Sequence, residues 1–206
     1  ANKVKSLQIE DLLERDPIEL EVQNKIEQLT GKTILVTGAA GSIGSEIVRQ
    51  VAEYNPKKLI ILDQAETPLH NLQLEIENSF PKLNFRPIVS DVSNSRRLAA
   101  LFANNQIDVV YHAAAYKHVP LMENNPHEAI FVNIHGTKNL ADLAVEYNVG
   151  HFVMVSTDKA VNPSNVMGAS KRAAEMYVQS LYNNQRAKGP ETTKFITTRF
   201  GNVLGS

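Results

Sequence analysis

Gly38-Ala39-Ala40-Gly41-Ser42-Ile43-Gly44 places three glycines three residues apart. Such a run holds phosphate when a strand enters it and a helix leaves it. Thr33-Ile34-Leu35-Val36-Thr37 is short, β-branched and apolar, which reads as a buried strand. Ile47, Val48 and Val51 recur at helical spacing, and that helix stops before Asn55-Pro56. In this frame Gly38 takes the tight turn, Gly41 lets backbone approach a diphosphate, and Gly44 lets helix and strand pack closely. Ala40, Ser42 and Ile43 share that contact, at the positive end of the helix. The spacing is one residue longer than G-x-G-x-x-G. The competing reading is an ordinary glycine-rich turn.

An acid follows at the distance such a loop requires. Lys58 to Leu62 is a second apolar run, and Asp63 closes it about 20 residues past the loop. A carboxylate there accepts hydrogen bonds from ribose hydroxyls and repels a 2′-phosphate. No Arg follows in Gln64-Ala65-Glu66, so the residues favour NAD over NADP, with Gln64 beside the ribose. The alternative is a solvated Asp at a strand end. Further on stands Ser156-Thr157-Asp158-Lys159, and Met167 and Lys171 share one helix face four residues apart. Taken alone, Asp158-Lys159 is a surface ion pair of little worth and Met167 is core filler.

The elements that position these groups alternate. Thr67-Pro68 starts a helix as N-cap and first-turn proline, with Leu69, Leu72, Ile76 and Phe80 inward. Asn84 to Val89 is a third strand, followed by Asp91 and Val92 and a helix from Ser95 to Phe102. Ile107 to His112 is a fourth strand. It runs into Ala113-Ala114-Ala115, small where bulk would collide with a cofactor, and then Tyr116-Lys117-His118, either a polar loop or a contact to substrate. A long helix is expected from Pro126 to Tyr147 with Gly136 as its weak point, carrying Asn133, a candidate helix-distorting polar residue that would order water near Lys171. Phe152 to Val155 is a fifth strand and Asn165 to Asn184 a helix ending before a polar loop. Phe195 to Arg199 is a sixth strand. Strands alternating with helices imply an α/β doubly wound parallel sheet, the Rossmann fold, of order 3-2-1-4-5-6. Ligands then sit outside the carboxyl ends of the strands, where Gly38, Asp63, Asp91, Ala113 and Ser156 all fall. Residues 1–30 read as a helical lead-in and 31–206 as the NAD-binding domain.

The 206 residues carry a net charge of −1, which removes the electrostatic case for nucleic acid or an anionic membrane surface. No Cys is present, which excludes disulfides, thiolate metal sites and a Cys nucleophile and fits a reducing cytoplasm. The histidines lack pair spacing for zinc, so no metal is expected. No apolar run approaches the roughly 20 residues of a membrane span.

Five stretches together resemble the extended short-chain dehydrogenase/reductases, and more narrowly the bacterial nucleotide-sugar 4,6-dehydratases of polysaccharide biosynthesis. They are Val36 to Gly44, Ala113 to Glu123, Ser156 to Pro163, Met167 to Lys171 and Arg199 to Val203. Leu7 to Leu13 resembles the linker after the membrane segments of large members, which implies a cytoplasmic domain anchored by an earlier segment. The resemblance implies NAD as cofactor, a UDP-sugar as substrate and, by analogy, a homodimer. It implies oxidation at C4, loss of water across C5 and C6, and hydride return to C6. Asp158 would be the C6 acid. Lys159 stands where other branches have a Glu base and would take the C5 proton. Thr157 would bond the sugar oxygen and Lys171 the nicotinamide ribose. Lys117, His118, Asn133 and Asn202 would meet the sugar nucleotide. One departure matters: the wider superfamily has Tyr where this chain has Met167, which carries no proton. The C4 base is left open between Lys159, Lys171 and a water. The expected substrate-binding part would follow Ser206, so the chain reads as a piece of a larger enzyme, weak or inactive alone. Competing readings are a nucleotide-sugar 4-epimerase and a non-catalytic NAD-binding module.

Overall fold

The computed structural model describes residues 27–187, 189 and 193–201. Most of the lead-in expected over residues 1–30, and Asn202, lie outside them. Six strands form one parallel sheet: β1 Thr33–Thr37, β2 Lys58–Asp63, β3 Phe85–Val89, β4 Val109–His112, β5 His151–Thr157 and β6 Lys194–Phe200. Their order is β3-β2-β1-β4-β5-β6, as the alternation of elements required. The helices are α1 Ser42–Ala52, α2 Glu66–Ser79, α3 Ser95–Ala103, α4 Val119–Asn124, α5 Pro126–Ala129, α6 Thr137–Glu146 and α7 Val166–Arg186.

The four central strands, β1, β2, β4 and β5, are buried on both faces, and their period of two sorts side chains into two cores. Leu35, Ile60, Leu62, Val110, Phe152 and Met154 face Leu98, Phe102, Leu140, Ala174 and Val178 from α3, α6 and α7. Ile34, Val36, Leu59, Ile61 and Val109 face Val48, Val51, Leu69, Leu72 and Ile76 from α1 and α2. Leu29, at the end of the lead-in, is buried in this second core. Each fully buried Leu or Ile contributes about 2 kcal/mol against exposure.

Three expectations change. α2 begins at Glu66 with Ala65 as its cap residue, not at Thr67. Asp63 already accepts the Ala65 N–H at 2.9 Å, and Pro68 falls where helix N–H groups have no partner within the helix. α7 runs on through Asn183-Asn184-Gln185-Arg186, with Ala187 N–H bonding the Asn183 carbonyl at 3.2 Å. At its start the Asn165 side chain accepts the Gly168 N–H at 2.7 Å.

The helix expected from Pro126 to Tyr147 is broken by a π segment, Ile130–Gly136, between α5 and α6. A chain of buried polar groups holds this segment against the sheet. The Thr137 hydroxyl donates to the Asn133 carbonyl at 2.7 Å, so it accepts from His112 Nε2–H at 2.8 Å. His112 Nδ1 is then the acceptor for the Thr37 hydroxyl at 2.7 Å. His112 is fully buried, and burial, with the charge of Lys171 second, pushes its pKa down to about 3. The imidazole is a neutral strut.

Gly44 is where α1 meets the loop: a Cβ there would lie 1.9 Å from the Gly38 carbonyl oxygen, which is backbone and cannot swing away. Gly44→Ala should cost about 2 kcal/mol or more of unfolding free energy in urea titration. Ser42→Ala, at an exposed position two residues earlier, should stay within about 0.5 kcal/mol. Equal stability of the two variants would contradict the close packing.

Candidate active site

The site begins at the carboxyl end of β1. Gly38 has φ of +66°, the left-handed conformation glycine tolerates. A Cβ there would also stand 2.4 Å from the backbone nitrogen of Ala114. The loops after β1 and β4 thus meet backbone to backbone, and a cleft opens above them at the point where strand order reverses.

The cleft has two lobes sharing Gly38, Gly41, Ala113, Ala115 and Tyr116. The first, of about 260 Å³, is also lined by Ala40, Asp63, Gln64, Asp91, Val92 and Ala114. The Asp63 carboxylate accepts the Ala40 N–H and the Ala65 N–H, each at 2.9 Å. These bonds fix its orientation and leave further lone pairs for a ligand's hydroxyls. Asp91 Oδ1 is likewise held by the Ser93 N–H at 2.7 Å.

The second lobe, of about 500 Å³, carries the polar side chains. Ser42, Ile43 and Gly44 line it on the glycine-loop side, and Lys117, His118, Thr157, Lys159, Met167 and Lys171 on the others. Lys171 is 4% exposed, and its Nζ donates to the Val155 carbonyl at 2.7 Å. Burial lowers its pKa to about 8, against the opposing pull of the Glu175 carboxylate one turn along α7. Burial would raise Glu175, but Arg199 at 2.7 and 2.9 Å and Arg172 at 3.2 Å hold it down at about 2. That fork also fastens the end of β6 to α7, bringing Phe200 and Gly201 to the lobe.

Asp158 and Lys159 lie in a 3-10 turn, Asp158–Ala160, after β5. The Thr157 hydroxyl donates to Asp158 Oδ1 at 2.9 Å, and Lys159 Nζ lies 3.4 Å from the same oxygen. These contacts, the Thr157 hydroxyl first, hold the Asp158 carboxyl below the usual range. Asp158 is 57% exposed and stands beside the lobe rather than among its lining residues, near Gly201.

Asn133 does not reach the cleft, contrary to the sequence expectation of a substrate contact. It is fully buried, and its amide is spent inside the protein. Oδ1 accepts the Tyr116 N–H at 2.8 Å, while Nδ2 donates to the Tyr116 carbonyl at 3.1 Å and to the Ser170 hydroxyl at 2.9 Å. Tyr116, read from the sequence as either a polar loop residue or a substrate contact, is the largest side chain common to both lobes. An aromatic at the end of the Ala113-Ala114-Ala115 run was the available signal.

A parallel sheet in this order, a glycine loop at its switch point, an acid after β2 and a buried lysine beside the second lobe define a Rossmann domain of the short-chain dehydrogenase/reductase type. The chain belongs to the polysaccharide biosynthesis protein family, whose family model matches residues 34–206. It is 53% identical over its whole length to the capsular polysaccharide biosynthesis protein CapD of Staphylococcus aureus, spanning 34% of that protein. Over 85% of the chain it is 40% identical to an inverting UDP-N-acetylglucosamine 4,6-dehydratase of Campylobacter jejuni, spanning 50% of it. The chain thus spans about a third to a half of the curated relatives it matches. Pen from Bacillus thuringiensis has a similar structure, with TM-score 0.78 and 35% identity over 87% of this chain and 54% of that one. DesIV of Streptomyces venezuelae, a dTDP-glucose 4,6-dehydratase solved with NAD bound, gives TM-score 0.67 at 25% identity over 81% and 54%. No described helix is long and apolar enough to cross a membrane.

Because the folded chain releases the Lys171 proton before the unfolded chain does, stability should rise with pH from about 8 to the ordinary lysine value of about 10.4. Urea unfolding should show the rise in the wild type and lose it in Lys171→Met. An identical pH dependence in both would show that Lys171 is not the group responsible.

Proposed function

We propose that this chain is the NAD-binding core of a nucleotide-sugar 4,6-dehydratase of polysaccharide biosynthesis. One observation carries the reading: Thr157, Lys159 and Lys171 line a single lobe that opens onto the lobe of Asp63 and the glycine loop. The residues fit the dinucleotide. Asp63, held by two backbone N–H groups, is placed to accept ribose hydroxyls and disfavours a 2′-phosphate. The glycine loop offers its diphosphate backbone rather than side chains. Gly38, Gly41 and Asp63 would hold NAD, which would supply a hydride acceptor for C4 of the sugar and a donor for C6.

The chain's own groups handle the protons. Lys159 takes the proton from C5 and gives one back there when hydride reaches C6, and Asp158 supplies one to the departing C6 hydroxyl. For Asp158 this requires a bound sugar to cover it, since burial raises a carboxyl that is now exposed and ionised. Thr157 orients the sugar oxygen, and Lys171 holds the nicotinamide ribose and adds positive potential. Met167 is 3% exposed and packs with Met122 and Ala129, so it supplies shape. The C4 proton then goes to Lys159, to Lys171 or to a water. Lys117 and His118, exposed residues lining the second lobe, meet the sugar nucleotide.

In the full-length protein, Lys159→Ala should lower formation of the 4-keto-6-deoxy sugar at least about a hundredfold while NAD affinity by calorimetry stays within about threefold. Dehydration at the wild-type rate would remove Lys159 from the mechanism. A product inverted at C4 with its C6 hydroxyl intact would identify an epimerase instead.

A further inference from the structure

Gln64 Nε2 donates to the Tyr116 hydroxyl at 3.2 Å. The two residues come from strands that do not touch: Gln64 follows β2, Tyr116 follows β4, and β1 lies between them in the sheet. Neighbouring strands stand about 4.8 Å apart, so the pair spans roughly 10 Å. The bond thus bridges elements on either side of β1, whose following residues Gly38 and Gly41 line both lobes. Gln64 lines the first lobe, and Tyr116 lines both.

Both anchors are fixed. The Tyr116 backbone is clamped on its N–H and its carbonyl by the buried Asn133 amide, and its ring packs on Met122, Ala129 and Met167. Gln64 lies in the turn closed by Asp63 on the Ala65 N–H. Only the outer ends of the two side chains are free to part. A ligand long enough to reach from Asp63 to Lys171 spans both lobes and so runs past Gln64 on the first and Tyr116 on both.

We propose that Gln64 and Tyr116 form a strap across the dinucleotide cleft that slows escape of the bound cofactor. The inference rests on the dinucleotide reading above. A reaction that borrows a hydride and returns it to the same molecule fails if the reduced cofactor leaves midway, so a slow exit serves it. A single bond between neutral, partly exposed groups opens readily. It therefore retards exchange without forbidding entry.

The test is release of NADH from the full-length protein, followed by stopped-flow fluorescence for the wild type, Tyr116→Phe, Gln64→Ala and the double variant. Tyr116→Phe keeps the ring and its packing, and Gln64 is exposed, so both variants leave the core intact. Each single variant should release NADH about fivefold faster, the worth of one neutral hydrogen bond, and the double variant no faster than either. Unchanged release, acceleration in only one single variant, or multiplied effects in the double variant would each overturn the strap while leaving the dinucleotide site standing. A wild-type protein that binds neither NAD nor NADH would overturn the dinucleotide reading, and the strap with it.

Discussion

The approach of two backbones at Gly38 is the constraint on which the site depends. The loop leaving β1 passes so close to the loop leaving β4 that any side chain at Gly38 would enter Ala114. Three features follow from this one contact. The glycine must turn left-handed, α1 must start close above it, and the residues after β4 must be small. Around the glycine loop the cleft is then walled by backbone and methyl groups, while Asp63, Asp91, Lys117 and Lys159 supply charge elsewhere along it.

A second layer of constraint keeps that wall in place. Thr37, His112, Thr137 and Asn133 join the ends of β1 and β4 to the π segment through buried hydrogen bonds. Polar groups buried this deeply are costly unless paired, so each bond favours one arrangement over its alternatives. The π segment in turn aims the Asn133 amide at Tyr116. Lys171 obeys the same rule with a charge: the Val155 carbonyl and the nearby Glu175 carboxylate offset part of the cost of burying a cation.

The two ends of the cleft are built differently. At the Asp63 end, backbone N–H groups fix the carboxylate before any ligand arrives. At the other end, Thr157, Asp158 and Lys159 satisfy one another on a partly exposed turn. Preorganised dipoles favour a ligand held in one orientation, whereas a carboxylate, an ammonium and a hydroxyl on an exposed turn stay free to rearrange around one.

Much of this was legible in the residues. Hydrophobic period told strands from helices, and right-handed crossovers with a glycine fingerprint on the first unit gave the order of the sheet. The turn at Gly38, the close approach at Gly44 and the place of Asp63 at the end of β2 were legible because each is set by spacing along one strand-loop-helix stretch. The fate of Asn133 was not: a polar residue in a helix reads alike whether it meets a ligand or a distant backbone, and only packing against Tyr116 and Ser170 decides. The π segment, the neutral state of His112, the lowered pKa of Lys171 and the meeting of Gln64 with Tyr116 likewise belong to the tertiary structure. Each depends on burial or on groups far apart in the chain, and neither distance nor desolvation is written in residue order.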